Sequence, residues 1–537
     1  MKKLYFIFIT LLFAPLFFLS QQSSVNNVNG YYADRGSFEI LSNYQGRNNV
    51  LKVDRSKTNW YTAAYSLAQY RGKQIAIEFS ADIRLEGSTG QIAFQVNTSD
   101  WRDLINTQSS LATGQWHTIK GRGIITPTQN DSIFFLANWA IPENTIVYLA
   151  NPTVRITEGN FVPDLSLTPL KTTYENHFLI GCITDWDGKY SREPYFNLYK
   201  HHFNSATSIV TMPQLIMPLN KGGAYRFTKA DNAVNLLIRN NIPVHGFVLA
   251  YYGGGMWGTP EWITEGTREE VIQNLNDYIT TVVRHFRGRI NSWDVINEPI
   301  KNSVSNAEAR GDWRNCIYVD DHFENRWYKK LGADYIELAF RAARTADPNI
   351  KLYLSEFNLE CPNKSEVLRK MIDDINTRYK RETGGTRNLI EGIGWQGHLG
   401  LNTNIPITRT NFQNFNIDRT IINYRNTLRR LSSLGIEIVI SEVDISTVGH
   451  IHRTGMDSDM SERDAITQGL YYARLFSLFK EFSDQIVRVS FWGLTDNTSW
   501  LSPGNPLLFD WKLNAKPAFF AVIDPESFIR EHGGRRR

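Results

Sequence analysis

Eight short strand-like runs, beginning near Phe178, Ser208, Pro243, Ile290, Lys351, Gly392, Ile436 and Ile486, alternate with segments of helical periodicity in the later part of the chain. A parallel sheet must be covered on its faces by the helices that connect its strands, and eight such units close on themselves as a (β/α)₈, or TIM, barrel. One helix illustrates the reading. Thr267 with Glu270 three residues later is a capping-box signature, and Val271, Ile272, Leu275, Ile279, Val282, Val283 and Phe286 then mark one core-facing stripe at helical spacing. Arg419 to Leu434 likewise ends at Gly435, a C-cap residue directly before the seventh strand.

The period is different nearer the N-terminus. From about Gly30 to Ile156, runs such as Gln74 to Ser80, Gln91 to Val96 and Thr145 to Leu149 alternate apolar and polar residues between Gly, Asn and Asp, the pattern of an antiparallel β-sandwich. A length of 537 residues accommodates two folded units. The expected organisation is a signal peptide over 1–20, an all-β sandwich module over 25–157, a Pro-bearing linker over 158–173, the α/β barrel over 174–525 and a flexible basic tail over 526–537. The signal peptide is read from Lys2 and Lys3, the apolar run Leu4 to Leu19 and the polar residues after it. That run is shorter than the ~20 residues of a bilayer span, so secretion is expected, with no membrane span after cleavage.

A formal charge of +4, from 58 Lys+Arg against 54 Asp+Glu, implies no nucleic-acid partner. Arg535-Arg536-Arg537 reads as a solvated end. Cys182, Cys316 and Cys361 lack metal-ligand spacing and allow at most one bridge. His450-x-His452 has no matching third ligand and reads as a solvated loop, and His201-His202 as a helix surface. Neither a phosphate-binding loop nor a Ser-centred hydrolase elbow is present. No metal or cofactor is expected, and the protein is expected to be a monomer.

Two runs carry the chemistry. Trp293-Asp294-Val295-Ile296-Asn297-Glu298-Pro299 and Ile438-Val439-Ile440-Ser441-Glu442-Val443-Asp444 each deliver a carboxylate toward a strand's C-terminal end, the end at which barrel enzymes do chemistry. Two such carboxylates point to glycoside hydrolysis: one protonates the departing oxygen while the other meets the positive charge developing on the sugar. A gap of about 5 to 5.5 Å allows direct attack and retention, and a wider one admits water and inverts.

These motifs resemble family-ten glycoside hydrolases, whose best-known members are endo-1,4-β-xylanases. The likeness runs from about Leu170 to Ala521 and includes Asp294 to Pro299, Gly392 to His398 and Phe491 to Asp496, in the family's order. It implies Glu298 as general acid/base and Glu442 as nucleophile of a retaining mechanism on internal β-1,4 linkages of xylan or a related plant-type polysaccharide. Asn297 can donate to the sugar 2-hydroxyl. His398 can donate to Glu442, with Asp444 fixing the His tautomer. Trp492 and Trp500 offer flat apolar faces to a pyranose, and Gln396 and Tyr251 complete the candidate substrate-binding set. The first domain resembles xylan- and glucan-binding β-sandwich modules through Gly114-Gln115-Trp116-His117-Thr118. Trp60, Tyr61, Trp101 and Trp139 are its candidate sugar platforms, and Trp116 reads as structural.

Departures from the family pattern cluster on one side of the site. Ile209-Val210-Thr211-Met212-Pro213 stands where the family has Glu-Asn-Glu-Met-Lys, and Gly246 to Tyr252 where it has Gly-His-Thr-Leu-Val-Trp-His. Ser355-Glu356-Phe357-Asn358 replaces Asn-Asp-Tyr-Asn. The missing Glu, Asn, Lys and His belong, in the family, to the pocket on the non-reducing side of the cut. Loss of several charged hydrogen bonds, each contributing on the order of 1.5 to 3 kcal/mol, is expected to change the sugar accepted, and the Gly253-Gly254-Gly255-Met256-Trp257 loop to reshape that side. Two alternatives follow: the same chemistry on a different or decorated β-glycan, and a non-catalytic carbohydrate-binding protein that keeps the barrel.

Overall fold

The computed structural model describes residues 31–533, apart from 34–38, 55–61, 89, 98–102, 128–131, 138–143, 185–187, 252–257, 320–323, 402–416 and 448–459. The signal-peptide reading, Trp60, Tyr61, Trp101, Trp139, the Gly253–Trp257 loop, His450, His452 and the terminal arginines therefore lie outside the described residues.

Two five-stranded antiparallel sheets make up the first unit. One orders Tyr31–Ala33, Thr62–Ser66, Ser132–Ala137, Gly90–Asn97 and Asp103–Leu111. The other orders Glu39–Tyr44, Arg47–Asp54, Ile146–Glu158, Ile75–Glu86 and Trp116–Ile125. The alternation is physical: in Ile75–Glu86 the residues Ile75, Ile77, Phe79, Ala81, Ile83 and Leu85 are buried while Glu78, Ser80, Asp82, Arg84 and Glu86 are at least partly solvated. Trp116 packs on the outer face beside Tyr148 and Val50, with the Arg47 guanidinium 4.2 Å from its ring.

The second unit is a closed parallel barrel of eight strands: β1 Leu179–Ile183, β2 Ser205–Ser208, β3 Val244–Ala250, β4 Ser292–Asn297, β5 Lys351–Glu356, β6 Gly392–Trp395, β7 Glu437–Ser446 and β8 Ile486–Phe491. Each pairs in parallel with its neighbours, β8 returns to β1, and a short extra strand, His398–Gly400, lies beside the end of β7. The helix predicted from Thr267 spans Arg268–His285, and Thr267 and Glu270 cap each other reciprocally. The helix before β7 spans Ile417–Ser432, followed by Gly435 at φ +62°.

Four details differ from the sequence reading. The second strand ends at Ser208 instead of beginning there, and Ile209–Thr211 forms a 3₁₀ turn. The short polar stretch Ser205-Ala206-Thr207-Ser208 is fully buried between neighbouring strands, so it lacks the apolar signature of a strand. The segment read as a linker contributes to the barrel: Leu170 opens the helix Leu170–Thr173 and is buried in the barrel core. The segment read as a flexible tail begins with helix Pro525–His532, whose Phe528 ring packs against Gly469, where any larger side chain would collide with it. Finally, His202 is buried among Phe203, Phe509 and Phe519 and not on the surface; burial pushes its imidazole down to about 3. It is the last residue of helix Tyr195–His202, on the side turned toward the core, whereas His201 hydrogen-bonds the Leu167 carbonyl at 2.8 Å.

The two units touch along the strand Trp116–Ile125. Asn497, in the loop after β8, donates to the Arg122 carbonyl at 3.2 Å, and the Arg122 guanidinium lies 5.8 Å from the Trp511 ring. No disulfide joins Cys182, Cys316 and Cys361. No helix among the described residues is long and apolar enough to cross a membrane.

Candidate active site

Hydrogen bonds between backbones run across the C-terminal rim of four consecutive strands. Glu298 N–H donates to the Ser355 carbonyl at 2.9 Å, Gln396 N–H to the Glu356 carbonyl at 3.1 Å, and Glu442 N–H to the Gln396 carbonyl at 2.8 Å. The residues just past β4 and β6 are thereby locked to β5 and β7. Glu298, immediately after β4, takes a left-handed backbone conformation at φ +52°. A non-glycine residue held there costs on the order of 1 to 3 kcal/mol and persists only where surrounding contacts over-determine it.

Those contacts are specific. Tyr251 Oη donates to Glu298 Oε2 at 2.9 Å, and Gln396 Nε2 donates to Glu298 Oε1 at 2.7 Å and to Asn297 Oδ1 at 3.2 Å. Each oxygen of the Glu298 carboxyl therefore has its own donor. Asp294, in the same motif, belongs elsewhere: it faces the buried His245 at 2.9 Å in the barrel interior.

Glu442 lies within β7 and is only 3 % exposed. His398 Nε2 meets its Oε2 at 3.1 Å, and His398 Nδ1 faces Asp444 Oδ1 at 3.0 Å. The other oxygen of Asp444 accepts from Trp500 Nε1 at 2.8 Å. Burial would push the His398 imidazole down, but the carboxylates of Asp444 and Glu442 outweigh it and raise it to about 10. A cationic His398 donates from both nitrogens. Burial raises Glu442 to about 7 against the hydrogen bond and charge of His398, and the like charge of Glu298 raises it further.

All nine residues singled out from the sequence converge here. Glu298, Asn297, Tyr251 and Gln396 form one bonded group, and Glu442, His398, Asp444 and Trp500 a second. Trp492 follows β8 and sits edge-on to Phe247, ring centres 5.2 Å apart, and to His398 at 6.2 Å. Trp500 also stands edge-on to His398 at 4.7 Å. Its indole N–H is taken up by Asp444, so Trp500 braces the second group as well as presenting a ring.

On the altered side, Ile209, Val210, Met212 and Phe247 are all buried, and Thr211 Oγ1 accepts from Phe247 N–H at 3.2 Å. All four belong to the apolar core of the barrel unit.

Sequence reading named Glu356 only as a departure from the family pattern and assigned neither it nor Lys364 to the site. Glu356 closes β5, completely buried, with Lys364 Nζ at 2.8 Å. Burial raises its carboxyl to about 7 despite Lys364. The signal was available: Ser355-Glu356 delivers a carboxylate at a strand's C-terminal end just as the two catalytic candidates do. Among the described residues, no group of three or more His, Cys, Asp or Glu side chains is placed to hold a metal ion.

The model of glycosyl hydrolase family 10 matches residues 169–525. Endo-1,4-beta-xylanase A of Thermoanaerobacterium saccharolyticum is 29 % identical over 519 residues, covering 90 % of this chain and 39 % of that protein. Endo-1,4-beta-xylanase A of Thermotoga neapolitana is 31 % identical, covering 68 % of this chain and 31 % of that one. The chain thus spans well under half the length of these relatives. The crystal structure of a GH10 xylanase containing a bacterial Ig-like domain, from termite gut, aligns with a TM-score of 0.58 at 28 % identity, covering 80 % of this chain and 86 % of that one. With the family model spanning more than half of the sequence and the fold agreeing, the chain belongs to glycosyl hydrolase family 10.

Proposed function

We propose that the protein is a secreted, retaining glycoside hydrolase that cuts internal β-1,4 linkages of xylan or a related β-glycan by double displacement. One observation carries the reading: two glutamates from different strands, their carboxyls held by different sets of donors, both bond to a single residue, Gln396, whose side chain donates to the Glu298 carboxylate and whose carbonyl accepts from the Glu442 backbone N–H. Relatives named endo-1,4-beta-xylanase support xylan as the substrate class. Secretion rests on the N-terminal charged and apolar sequence.

In this reading Glu442 attacks the anomeric carbon. The cationic His398 orients it and favours its ionised form, while Asp444 and Trp500 fix the imidazole. Glu298 protonates the departing oxygen, then takes a proton from the water that releases the glycosyl-enzyme. Tyr251 and Gln396 hold its carboxyl through both transfers. Asn297 donates to the sugar 2-hydroxyl, a bond that strengthens as charge develops, and Trp492 and Trp500 supply apolar surface to the ring.

The buried apolar set Ile209, Val210, Met212 and Phe247 favours a second reading of the substrate: the same chemistry on a different or decorated β-glycan, with a glycone pocket that grips by shape and apolar contact. The test is a panel of polysaccharides with product analysis, alongside turnover of an aryl β-xylobioside by the wild type and by Glu442→Ala. Turnover that disappears in the variant supports catalysis. No turnover of any aryl β-glycoside by the wild type leaves the non-catalytic binder as the better reading.

A further inference from the structure

We propose that Glu356 is a positioning residue that aims Glu298 at the leaving-group oxygen, an inference that rests on the acid role proposed for Glu298. Glu356 reaches the acid from two directions. Its Oε2 accepts from Ile300 N–H at 2.9 Å, two residues beyond Glu298, and clamps the turn that leaves the rim through Pro299. Its backbone carbonyl accepts from Gln396 N–H at 3.1 Å, and the Gln396 side chain in turn ends on Glu298 Oε1 at 2.7 Å. Ser355, its neighbour on β5, accepts from the Glu298 N–H itself. The left-handed backbone of Glu298 is thus fixed at the residue and two positions beyond it by the last two positions of β5.

Glu356 is itself held with little freedom. Its Oε1 accepts from Phe357 N–H at 2.9 Å and lies 2.8 Å from Lys364 Nζ, and that ammonium sits 3.3 Å from the centre of the Phe357 ring. A buried ion pair is weak evidence for stabilisation, because desolvating both charges offsets their attraction. Its place beneath the acid gives it a geometric role instead: a fully paired carboxylate is a rigid acceptor for the Ile300 N–H. The two carboxylates also sense one another, since the charge of Glu298 is among the influences that raise the Glu356 carboxyl.

A residue that acts through the acid leaves a kinetic signature that a merely structural residue does not. Protonation matters for a poor leaving group and hardly at all for dinitrophenolate, which departs unaided. A displacement of about 1 Å can cost on the order of a hundredfold in rate, within the range of about 10² to 10⁴ that general acid catalysis supplies. The experiment measures kcat and KM of full-length wild type, Glu356→Gln and Glu356→Asp on phenyl and dinitrophenyl β-xylobiosides, with thermal melts to confirm folding. E356Q is expected to lose about tenfold or more in kcat/KM, which reports the glycosylation step alone, on the phenyl substrate and less than about threefold in kcat/KM on the dinitrophenyl one. E356D keeps the charge with a shorter reach and is expected to show a smaller loss with the same selectivity; if E356Q does not fold, E356D alone decides. Equal losses of kcat/KM on both substrates, or none on either, in the folded variant would overturn the positioning role while leaving the acid role of Glu298 intact. Failure of the acid role would show separately, as a Glu298→Ala variant that retains wild-type rates on the phenyl substrate.

Discussion

Gln396 donates its side-chain amide to Glu298 at 2.7 Å. Because its carbonyl also receives the Glu442 N–H, this one residue keeps the spacing of the two carboxylates. Gln396→Ala is expected to lower kcat/KM on an aryl β-xylobioside by about ten- to a hundredfold, the rate equivalent of one hydrogen bond to a charged group. Steady-state kinetics on the folded variant check it; an unchanged kcat/KM would remove Gln396 from the machinery.

Under the proposed mechanism, the acidic limb of the pH profile belongs to Glu442. Attack needs the carboxylate, and burial places its titration at about 7, so kcat/KM is expected to fall as pH drops through that value. His398→Ala removes the donor and charge that favour the ionised form. The limb is then expected to move to higher pH, as measured by the kcat/KM profile of the free enzyme. A limb that stays in place or moves down would contradict the role given to His398.

Much of this site was legible because its chemistry is short-range in sequence. Asn297 beside Glu298, and Asp444 two residues past Glu442, are fixed by the strand that carries them, and the strand is written in apolar runs. Glu356 was not legible in that way: its importance comes from Ile300 and Gln396, which approach it from neighbouring strands. The barrel itself was readable except where burial and hydropathy part company. Ser205–Ser208 is a polar strand enclosed by its neighbours, while the apolar Ile209–Thr211 is a turn. His202 was misread for the same reason, as an imidazole accepted into an aromatic cluster with almost no polar partner. The terminal helix was hidden by its basic neighbours, although Phe528 supplies its anchor.

Stability beside the site depends on a second buried ion pair. Lys516 Nζ lies 2.9 Å from Asp496 and also donates to the carbonyls of Asn505 and Leu507, all within the loops that follow β8. Lys516→Met leaves Asp496 buried without its partner and is expected to destabilise the barrel by about 3 to 5 kcal/mol. Denaturant unfolding checks it, and a loss below about 1 kcal/mol would show that the pair is replaceable by apolar packing.

The apolar side of the cleft is open to the same kind of test. Phe247 packs against Trp492, and Phe247→His, combined with Ile209→Glu and Val210→Asn, tests the proposal that these positions set the sugar accepted. The triple variant is expected to gain kcat/KM on undecorated xylo-oligosaccharides relative to the wild type's preferred substrate. Unchanged selectivity would count against a substrate preference set by these positions.

The central claim is covalent attack by Glu442, and trapping that intermediate tests it most directly. Incubation with dinitrophenyl 2-deoxy-2-fluoro-β-xylobioside, followed by mass spectrometry of intact and proteolysed protein, is expected to give one adduct, on the peptide containing Glu442, with loss of activity in step. An adduct on any other carboxylate, or an active enzyme that turns over β-xylobiosides yet never labels, would contradict the account.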